Sequence, residues 1–339
     1  MEQTLRVCIY GATGYTASEL IRILVEHPYV RITDLVSSST AGRKVSEVLP
    51  HLTPKLGDLV LSKEPEEDFD LAFLCLPHEV SLETVPELLS KGKKVVDLSG
   101  AYRIRNPKAY EEFYGFVHRY EDVLETAVYG LPEFFRESIK GAQLVANPGC
   151  YPTATLLALY PLIKEKVEFD SVIVHALSGV SGAGRGLRQQ FHYPEMEENF
   201  FAYSVEKHRH TPEMEDVVKR LSGREMRIRF TPVVVPASRG MLSTLYVRTN
   251  IKDIEDLYRE TYSGEPFITI SRTPPMTKWV LGTNNCILYP TYDARSSTAI
   301  ILSALDNLGK GASSQAVQNM NLMFGLEETL SLPTVPKFP

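Results

Sequence analysis

The sequence predicts an α/β chain of two domains: a Rossmann-type, mostly parallel sheet over residues 1–150, then an α+β domain from 151 to about 312. Three observations carry this. Over the first 150 residues, short apolar runs rich in β-formers alternate with segments of helical period, the pattern of a parallel sheet covered on both faces. Beyond residue 150 strand-like runs continue with few helices between them, as in a mixed or antiparallel sheet. The length, 339 residues, also exceeds the roughly 250–300 at which one hydrophobic core stops growing.

The elements follow in order. Leu5–Tyr10 is a strand cut off by Gly11. Ala17, Leu20, Ile21 and Leu24 recur at i, i+3, i+4 and i+7, one face of a helix that His27-Pro28 closes. Val30–Val36, Leu71–Leu76, Val95–Leu98 and Leu144–Ala146 are further strands, with a helix over Ser81–Ser90 and a polar surface loop at Lys63–Asp68. Ala154–Leu162 reads as a buried helix. The second domain offers strands at Val172–Leu177, Ile228–Val235, Ser243–Arg248, Phe267–Ile270 and Cys286–Tyr289. A last helix, Ser313–Phe324, opens on two serines suited to N-capping and stops at Gly325.

Composition narrows the function. Apolar residues make up 43% and charged residues 23%, ordinary for a folded, water-soluble protein. The net charge is −6 and the longest basic run is Lys207–His210, so nucleic acid and anionic membranes are not expected partners. Cys8, Cys75, Cys150 and Cys286 are scattered with no Cys-x-x-Cys pair, which suits neither a disulfide framework nor a zinc site; no metal is expected. The first strand begins within five residues and no apolar run approaches the ~18 needed to span a bilayer, so a cytoplasmic location is expected.

Gly11-Ala12-Thr13-Gly14-Tyr15-Thr16 joins the first strand to the first helix. Small residues there let backbone N–H groups approach a pyrophosphate at a helix N-terminus. A tight strand–helix turn would use the same glycines, but the position at the first turn of a βαβ unit favours a dinucleotide. Asp34 lies inside the second strand, which ends in Ser37-Ser38-Ser39-Thr40 with Arg43 close behind. Hydroxyls and an Arg suit a ribose 2′-phosphate, and the expected cofactor is NADP.

Cys150, in Asn147-Pro148-Gly149-Cys150-Tyr151-Pro152-Thr153, follows a strand and precedes a helix. A thiol attacks as thiolate, and a free pKa of about 8.5 must fall for that. A helix N-terminus contributes roughly 0.3–1 kcal/mol, less than one pKa unit, so a cationic partner is required. His208-Arg209-His210-Thr211-Pro212-Glu213 offers one. With Thr211 as N-cap and Pro212 at the first helical position, a helix runs to Leu221 and displays the histidines just before it. His208 is the expected acid/base, His210 the runner-up and a substrate contact, and Glu213 the group that orients the imidazole. Metal binding is the rival reading of His-x-His, but no third ligand is near. A second glycine loop, Ser178 to Gly186 with Ser181, Gly182 and Arg185, suits a nest of N–H donors for cofactor or substrate. Arg103 follows another strand end, where it suits an anionic group.

Taken together, Gly11–Tyr15, Cys75-Leu76-Pro77-His78, Tyr129–Glu133, Asn147–Thr153, Ser178–Arg185, His208–Glu213, Arg239-Gly240 and Asp306–Asn321 resemble the N-acetyl-γ-glutamyl-phosphate reductases of arginine biosynthesis. These are relatives of aspartate-semialdehyde dehydrogenase. The resemblance implies that Cys150 attacks the acyl phosphate, that NADPH reduces the resulting thioester, and that N-acetyl-glutamate semialdehyde leaves. It implies that residues 313–339 complete the first domain, with Asn319 and Asn321 near the cofactor, and that residues 151–312 serve catalysis and oligomerisation in a homodimer or homotetramer. It places Pro77 at the cofactor and Asn147, Ser178 and Arg185 at the substrate. Ser39 stands where an Arg is common, so Arg43 or Ser37–Ser39 must contact the 2′-phosphate. Two other readings stay open: the same chemistry on a carrier-linked glutamyl or aminoadipyl phosphate, and a dinucleotide sensor without catalysis.

Overall fold

Six parallel strands form the first sheet in the computed structural model, which describes residues 4–169, 171–251 and 253–338. They are β1 (Leu5–Tyr10), β2 (Val30–Val36), β3 (Leu71–Leu74), β4 (Lys94–Asp97), β5 (Val128–Tyr129) and β6 (Leu144–Ala146), in the order β2-β1-β3-β4-β6-β5. Val7, Cys8 and Ile9 of β1 are fully buried, as are all four residues of β3. That burial on both faces is why these strands read as continuous apolar runs. Burial also pushes the Cys8 thiol well above its ordinary range. The chain runs from β1 out to β2 on one side and returns to β3 on the other. The strand order therefore reverses between β1 and β3, and ligands of such sheets bind at the carboxyl ends there.

Helix Tyr15–Leu24 buries Ala17, Leu20, Ile21 and Leu24, the stripe expected from its period. Helix His78–Ser90 starts three residues earlier than its apolar pattern and carries Pro86 inside. The closing helix, Ser314–Met323, packs on helices Tyr15–Leu24 and Pro132–Lys140 and is buried at every residue. It begins one residue later than expected, after a wide turn at Gly309–Ser313, and its serines do not cap it. The Ser313 hydroxyl donates instead to the Thr16 carbonyl, 2.8 Å away. Its asparagines hold the first unit together. Asn319 donates through Nδ2 to the Gly130 carbonyl and to Asn147 Oδ1, each at 2.9 Å. Asn321 Oδ1 lies 3.1 Å from His27 Nε2, and its Nδ2 donates to the carbonyls of Glu328 and Leu330.

The first unit comprises Met1–Arg105, His118–Pro148 and Ala312–Leu332; the second comprises Asn106–Val117, Gly149–Gly311 and Pro333–Pro339. The second is built on β7 (Ser171–Gly179), β8 (Phe201–Ala202), β9 (Arg227–Val235), β10 (Met241–Arg248), β11 (Ile268–Ile270), β12 (Cys286–Asp293) and β13 (Thr298–Leu305). The sheet order is β11-β12-β13-β10-β7-β9-β8, mixed, with antiparallel pairing through its centre. Strand β13 has no counterpart in the sequence reading. Its run Thr298–Leu305 is continuously apolar enough to lose the alternation that marks a half-buried strand. It pairs with β12 through a turn where Asp293 accepts from Arg295 N and the Ser296 hydroxyl.

Helices Cys150–Lys164 and Ile254–Thr261 cover one face of this sheet, where Val172, Val174, Leu245, Val247 and Ile301 are buried. Helix Cys150–Lys164 is apolar all round, and Tyr258 and Tyr262 donate hydroxyl hydrogen bonds to its Ala158 and Leu157 carbonyls. The opposite face is open: Ile173 and Tyr246, directly paired across β7 and β10, are 50% and 41% exposed. Among the described residues no helix is long and apolar enough to cross a membrane.

Because Asn319 bridges a loop carbonyl and a buried side chain, Asn319→Ala leaves both acceptors unpaired. The expected loss is about 1–3 kcal/mol, read as a lower urea midpoint; an unchanged midpoint would remove the bridge from the stability of this unit.

Candidate active site

The first glycine loop is shaped by packing before it meets any ligand. Gly11 has φ +73°, and a Cβ there would lie 2.2 Å from the Cys75 carbonyl oxygen, so only glycine lets the ends of β1 and β3 approach this closely. Gly11 N and Ala12 N both donate to the Val36 carbonyl, and Gly14 N donates to Gly11 O. The donors left for a pyrophosphate are those of the next helix. Gly14 is its N-cap, with no side-chain cap and no acidic residue in the first turn, so Tyr15 and Thr16 open the helix with N–H groups that have no acceptor inside it. Asp34 is turned away, its Oδ1 accepting from Glu66 N at 2.8 Å. Ser37 is buried and accepts from the Thr40 hydroxyl, while Ser38 and Ser39 are exposed. Arg43 is exposed and pairs with Glu47 at 3.3 Å. An uncapped helix start beside exposed hydroxyls and an Arg, with the strand carboxylate engaged elsewhere, fits a phosphorylated dinucleotide. Pro77 is exposed at the N-cap of helix His78–Ser90.

The thiol sits where the sequence placed it. Cys150 is the first residue of helix Cys150–Lys164, partly exposed, with Gly149 as N-cap. Gly149 N donates to Glu213 Oε1 at 2.9 Å. A Cβ on Gly149 would lie 2.5 Å from His210 Nε2, so the imidazole of His210 is laid flat against the peptide that leads into the thiol. Glu213 is fully buried and holds the backbone of this turn.

The helix that carries these groups starts earlier than Thr211. It spans His210–Ser222, with Arg209, already at helical φ and ψ, before it. Thr211 is not its N-cap. The acceptor for the first turn is His208, whose Nδ1 takes the His210 N–H at 3.1 Å and whose carbonyl takes Thr211 N–H at 3.0 Å. The His208 ring is buried; burial first, and then the positive charge of Arg209, lower its pKa to about 4. A neutral ring is no cationic partner for a thiolate. Of the two histidines, it is His210 whose ring lies against the Gly149 peptide.

Behind the thiol lies a polar knot to which no role attached in the sequence. Asp306, fully buried, pairs with Arg239 along one guanidinium edge, Nη2 at 2.8 Å and Nε at 3.2 Å. It also accepts from the backbone N–H groups of Gly282, Leu308 and Gly309. Asn307 accepts from Gly240 N and donates to the Ser181 hydroxyl. This knot carries the chain to Gly311, where a Cβ would lie 2.8 Å from that of Cys150. The motif spacing held the signal, but not the partners, which lie 67 residues apart.

Several expected ligand contacts are engaged by the protein itself. Arg103, buried, donates to the carbonyls of Asn147 and Leu98 at 2.7 and 2.9 Å, which ties the ends of β6 and β4 together. Asn147 is buried, donating to the Ala312 carbonyl and accepting from Asn319. Ser178 is buried and donates to the Gly179 carbonyl. In the second glycine loop, the N–H groups of Gly179, Val180 and Ser181 donate to the carbonyls of Gly240, Ala237 and Ser238, so these three form a strand-to-loop seam and no nest. Gly182 and Arg185 are exposed. Among the described residues no cluster of His, Cys, Asp or Glu is arranged to hold a metal ion.

Residues 6–142 match the family model described as semialdehyde dehydrogenase, NAD binding domain, and residues 150–307 the one described as semialdehyde dehydrogenase, dimerisation domain. The N-acetyl-gamma-glutamyl-phosphate reductase of Aquifex aeolicus is 63% identical over 340 residues, covering 100% of both chains. That of Magnetococcus marinus is 47% identical over 350 residues, again covering 100% of both. In fold, the chain is similar to aspartate semialdehyde dehydrogenase II of Vibrio cholerae complexed with ASA, at TM-score 0.72 and 18% identity, covering 95% of this chain and 98% of that one. It is also similar to aspartate semialdehyde dehydrogenase with NADP from Candida albicans, at 0.69 and 16%, with the same coverage.

His27, His118 and His208 are each lowered below 6.5, burial being the largest cause. The unfolded chain therefore binds protons that the native state refuses, and stability falls as pH drops from about 7 towards 5. The urea midpoint should decline over that range, above the titration of exposed carboxylates, and His208→Phe should flatten the decline. A pH-independent midpoint in the parent protein would contradict these assignments.

Proposed function

The chain belongs to the semialdehyde dehydrogenases and, among them, to the N-acetyl-gamma-glutamyl-phosphate reductases, and we propose that it reduces N-acetyl-glutamyl 5-phosphate to N-acetyl-glutamate 5-semialdehyde in arginine biosynthesis. The observation that supports a thiol mechanism most directly is the turn at Gly149–Cys150. It places a partly exposed thiol at a helix start with the His210 imidazole against the preceding peptide.

The chemistry follows from that placement. Cys150 gives its proton to His210, and the thiolate is favoured by the imidazolium and the helix N-terminus. Sulfur attacks the acyl carbon, the bond from that carbon to the phosphate oxygen breaks, and inorganic phosphate leaves a thioester on Cys150. Bound in reduced form, NADP supplies the hydride that takes the acyl carbon to the aldehyde level. Its pyrophosphate would lie on the helix start at Tyr15 and Thr16, and its 2′-phosphate among Ser37, Ser38, Ser39 and Arg43. His210 protonates the oxyanion formed on the sulfur-bound carbon and takes the proton back as the carbon–sulfur bond breaks. Glu213 keeps the turn in place through Gly149 N. His210, rather than His208, is the acid/base in this scheme because the buried His208 ring is held neutral, whereas the His210 ring lies against the Gly149 peptide.

Free substrate distinguishes this activity from one on a carrier-linked acyl group. Incubated with free N-acetyl-glutamyl phosphate and no NADPH, the protein should gain an acyl mass on the Cys150 peptide. Cys150→Ser should abolish turnover and adduct while binding NADPH within about twofold of the parent. Turnover retained by that variant would move the nucleophile elsewhere, and no turnover of the free substrate by the parent would favour the carrier-linked reading.

For the oligomer, the open face of the seven-stranded sheet is the surface a second copy would cover. Ile173 and Tyr246 lie there beside the half-buried Leu242, Ile300 and Leu302, in the segment matched by a dimerisation domain. Tyr246→Arg is expected to shift the sedimentation coefficient towards that of a single chain. A sedimentation profile like the parent's would place the interface on another face.

A further inference from the structure

His208 has no step in the proposed reaction, yet it is built into the site with unusual care. Its ring is packed edge-on among Tyr151, Tyr203, Phe230 and His210, at centroid distances of 5.6, 5.3, 5.1 and 4.9 Å. Of these groups Tyr203 and Tyr151 share a hydroxyl hydrogen bond at 3.3 Å, and the positive charge of Arg209 also acts on the ring. A neutral imidazole has one N–H and one lone pair. Since Nδ1 accepts from the His210 N–H at 3.1 Å, the hydrogen-bond network assigns the proton to Nε2.

The first N–H groups of a helix have no acceptor within it, and an Asn, Ser or Asp just before the helix normally supplies one. Helix His210–Ser222 has no side-chain cap from its N-cap residue, Arg209. The lone pair of His208 stands in. The ring that offers it is clamped by four aromatic neighbours, so the backbone of His210, and with it the direction of its side chain, is fixed from one side. From the other side Gly149 leaves room for the His210 imidazole and no more.

We propose that His208 is a positioning residue: as a ring-shaped cap of the helix it aims the His210 imidazole at the Gly149–Cys150 turn, and it transfers no proton itself. This rests on His210 as the acid/base, and the experiment separates the two ideas. His208→Asn keeps an acceptor at the δ1 position, His208→Phe keeps the ring and removes the acceptor, and His210→Asn removes the acid/base. The readouts are kcat, KM and the pH profile with N-acetyl-glutamyl phosphate and NADPH, and the pH dependence of Cys150 alkylation by iodoacetamide.

His208→Asn should keep kcat within about fivefold of the parent with the same pH profile. His208→Phe should lose about 100-fold in kcat with little change in KM, the cost of a misplaced group, and its alkylation should shift towards that of an ordinary thiol. His210→Asn should lose up to about 10⁴-fold and the limb of the profile that the imidazole sets. A folded His208→Asn as inactive as His208→Phe would overturn the proposal, because the imidazole itself would then be needed. Full activity in His208→Phe would overturn it as well. Should His208→Phe fail to fold, the activity of His208→Asn alone decides. A His210→Asn variant with the parent's rate and profile would instead remove the acid/base assignment on which the proposal stands.

Discussion

The hydrogen bond from Gly149 N to Glu213 Oε1 is the constraint on which the thiol site depends. It joins the start of helix Cys150–Lys164 to the first turn of helix His210–Ser222, two elements more than fifty residues apart in the chain. A buried carboxylate accepting a backbone N–H is stronger than a neutral pair and has little freedom to move. With that bond in place, the thiol turn is tied to the second helix through the buried Glu213 carboxylate. The side chains of His210 and Cys150 then need only their own rotamers to meet. Glycine at 149 follows from the same constraint, since any Cβ would occupy the volume of the imidazole.

Around this bond the second unit assembles three kinds of packing. Closest is the aromatic box that keeps His208 neutral and turned to the helix start. Next is the knot of Asp306, Arg239 and Asn307, which pins the loops at Ser181, Gly240 and Gly282 and brings Gly311 against Cys150. An ion pair whose carboxylate is buried adds little net stability, but one with every carboxylate oxygen used defines a single arrangement of the loops it joins. Beneath both lies the apolar helix Cys150–Lys164, buried over most of its length from Tyr151 onward.

Much of the fold was legible because it obeys local periodicity. The strands of the first sheet are buried on both faces and read as apolar runs, and the stripe of helix Tyr15–Leu24 appeared at helical spacing. Strand β13 escaped because a central strand of the mixed sheet, Thr298–Leu305, has no clear alternation. The start of helix His210–Ser222 escaped for another reason. Thr211-Pro212 is a sound local signal for a helix start, and it was overruled by an acceptor on a side chain two residues before the helix. Arg103 and Asn147 look like ligand contacts because polar side chains at strand ends often are, and Asn319 because the family resemblance puts it near the cofactor. Here they bond to carbonyls and to one another, as buried backbone acceptors demand.

Sequence by itself determined the cofactor class and the family and singled out Cys150 as the candidate thiol, because these rest on residue types at fixed local spacing: glycines at a strand–helix turn, a cysteine after Pro-Gly, and a His-x-His before a helix. Only the tertiary structure decided which histidine lies against the peptide that leads into Cys150. His208 and His210 are two residues apart and chemically identical as letters. Their difference comes from what surrounds them: His208 is enclosed by Tyr151, Tyr203 and Phe230, while His210, though it also touches Tyr151, lies against the peptide of Gly149, and those neighbours are brought in from distant parts of the chain.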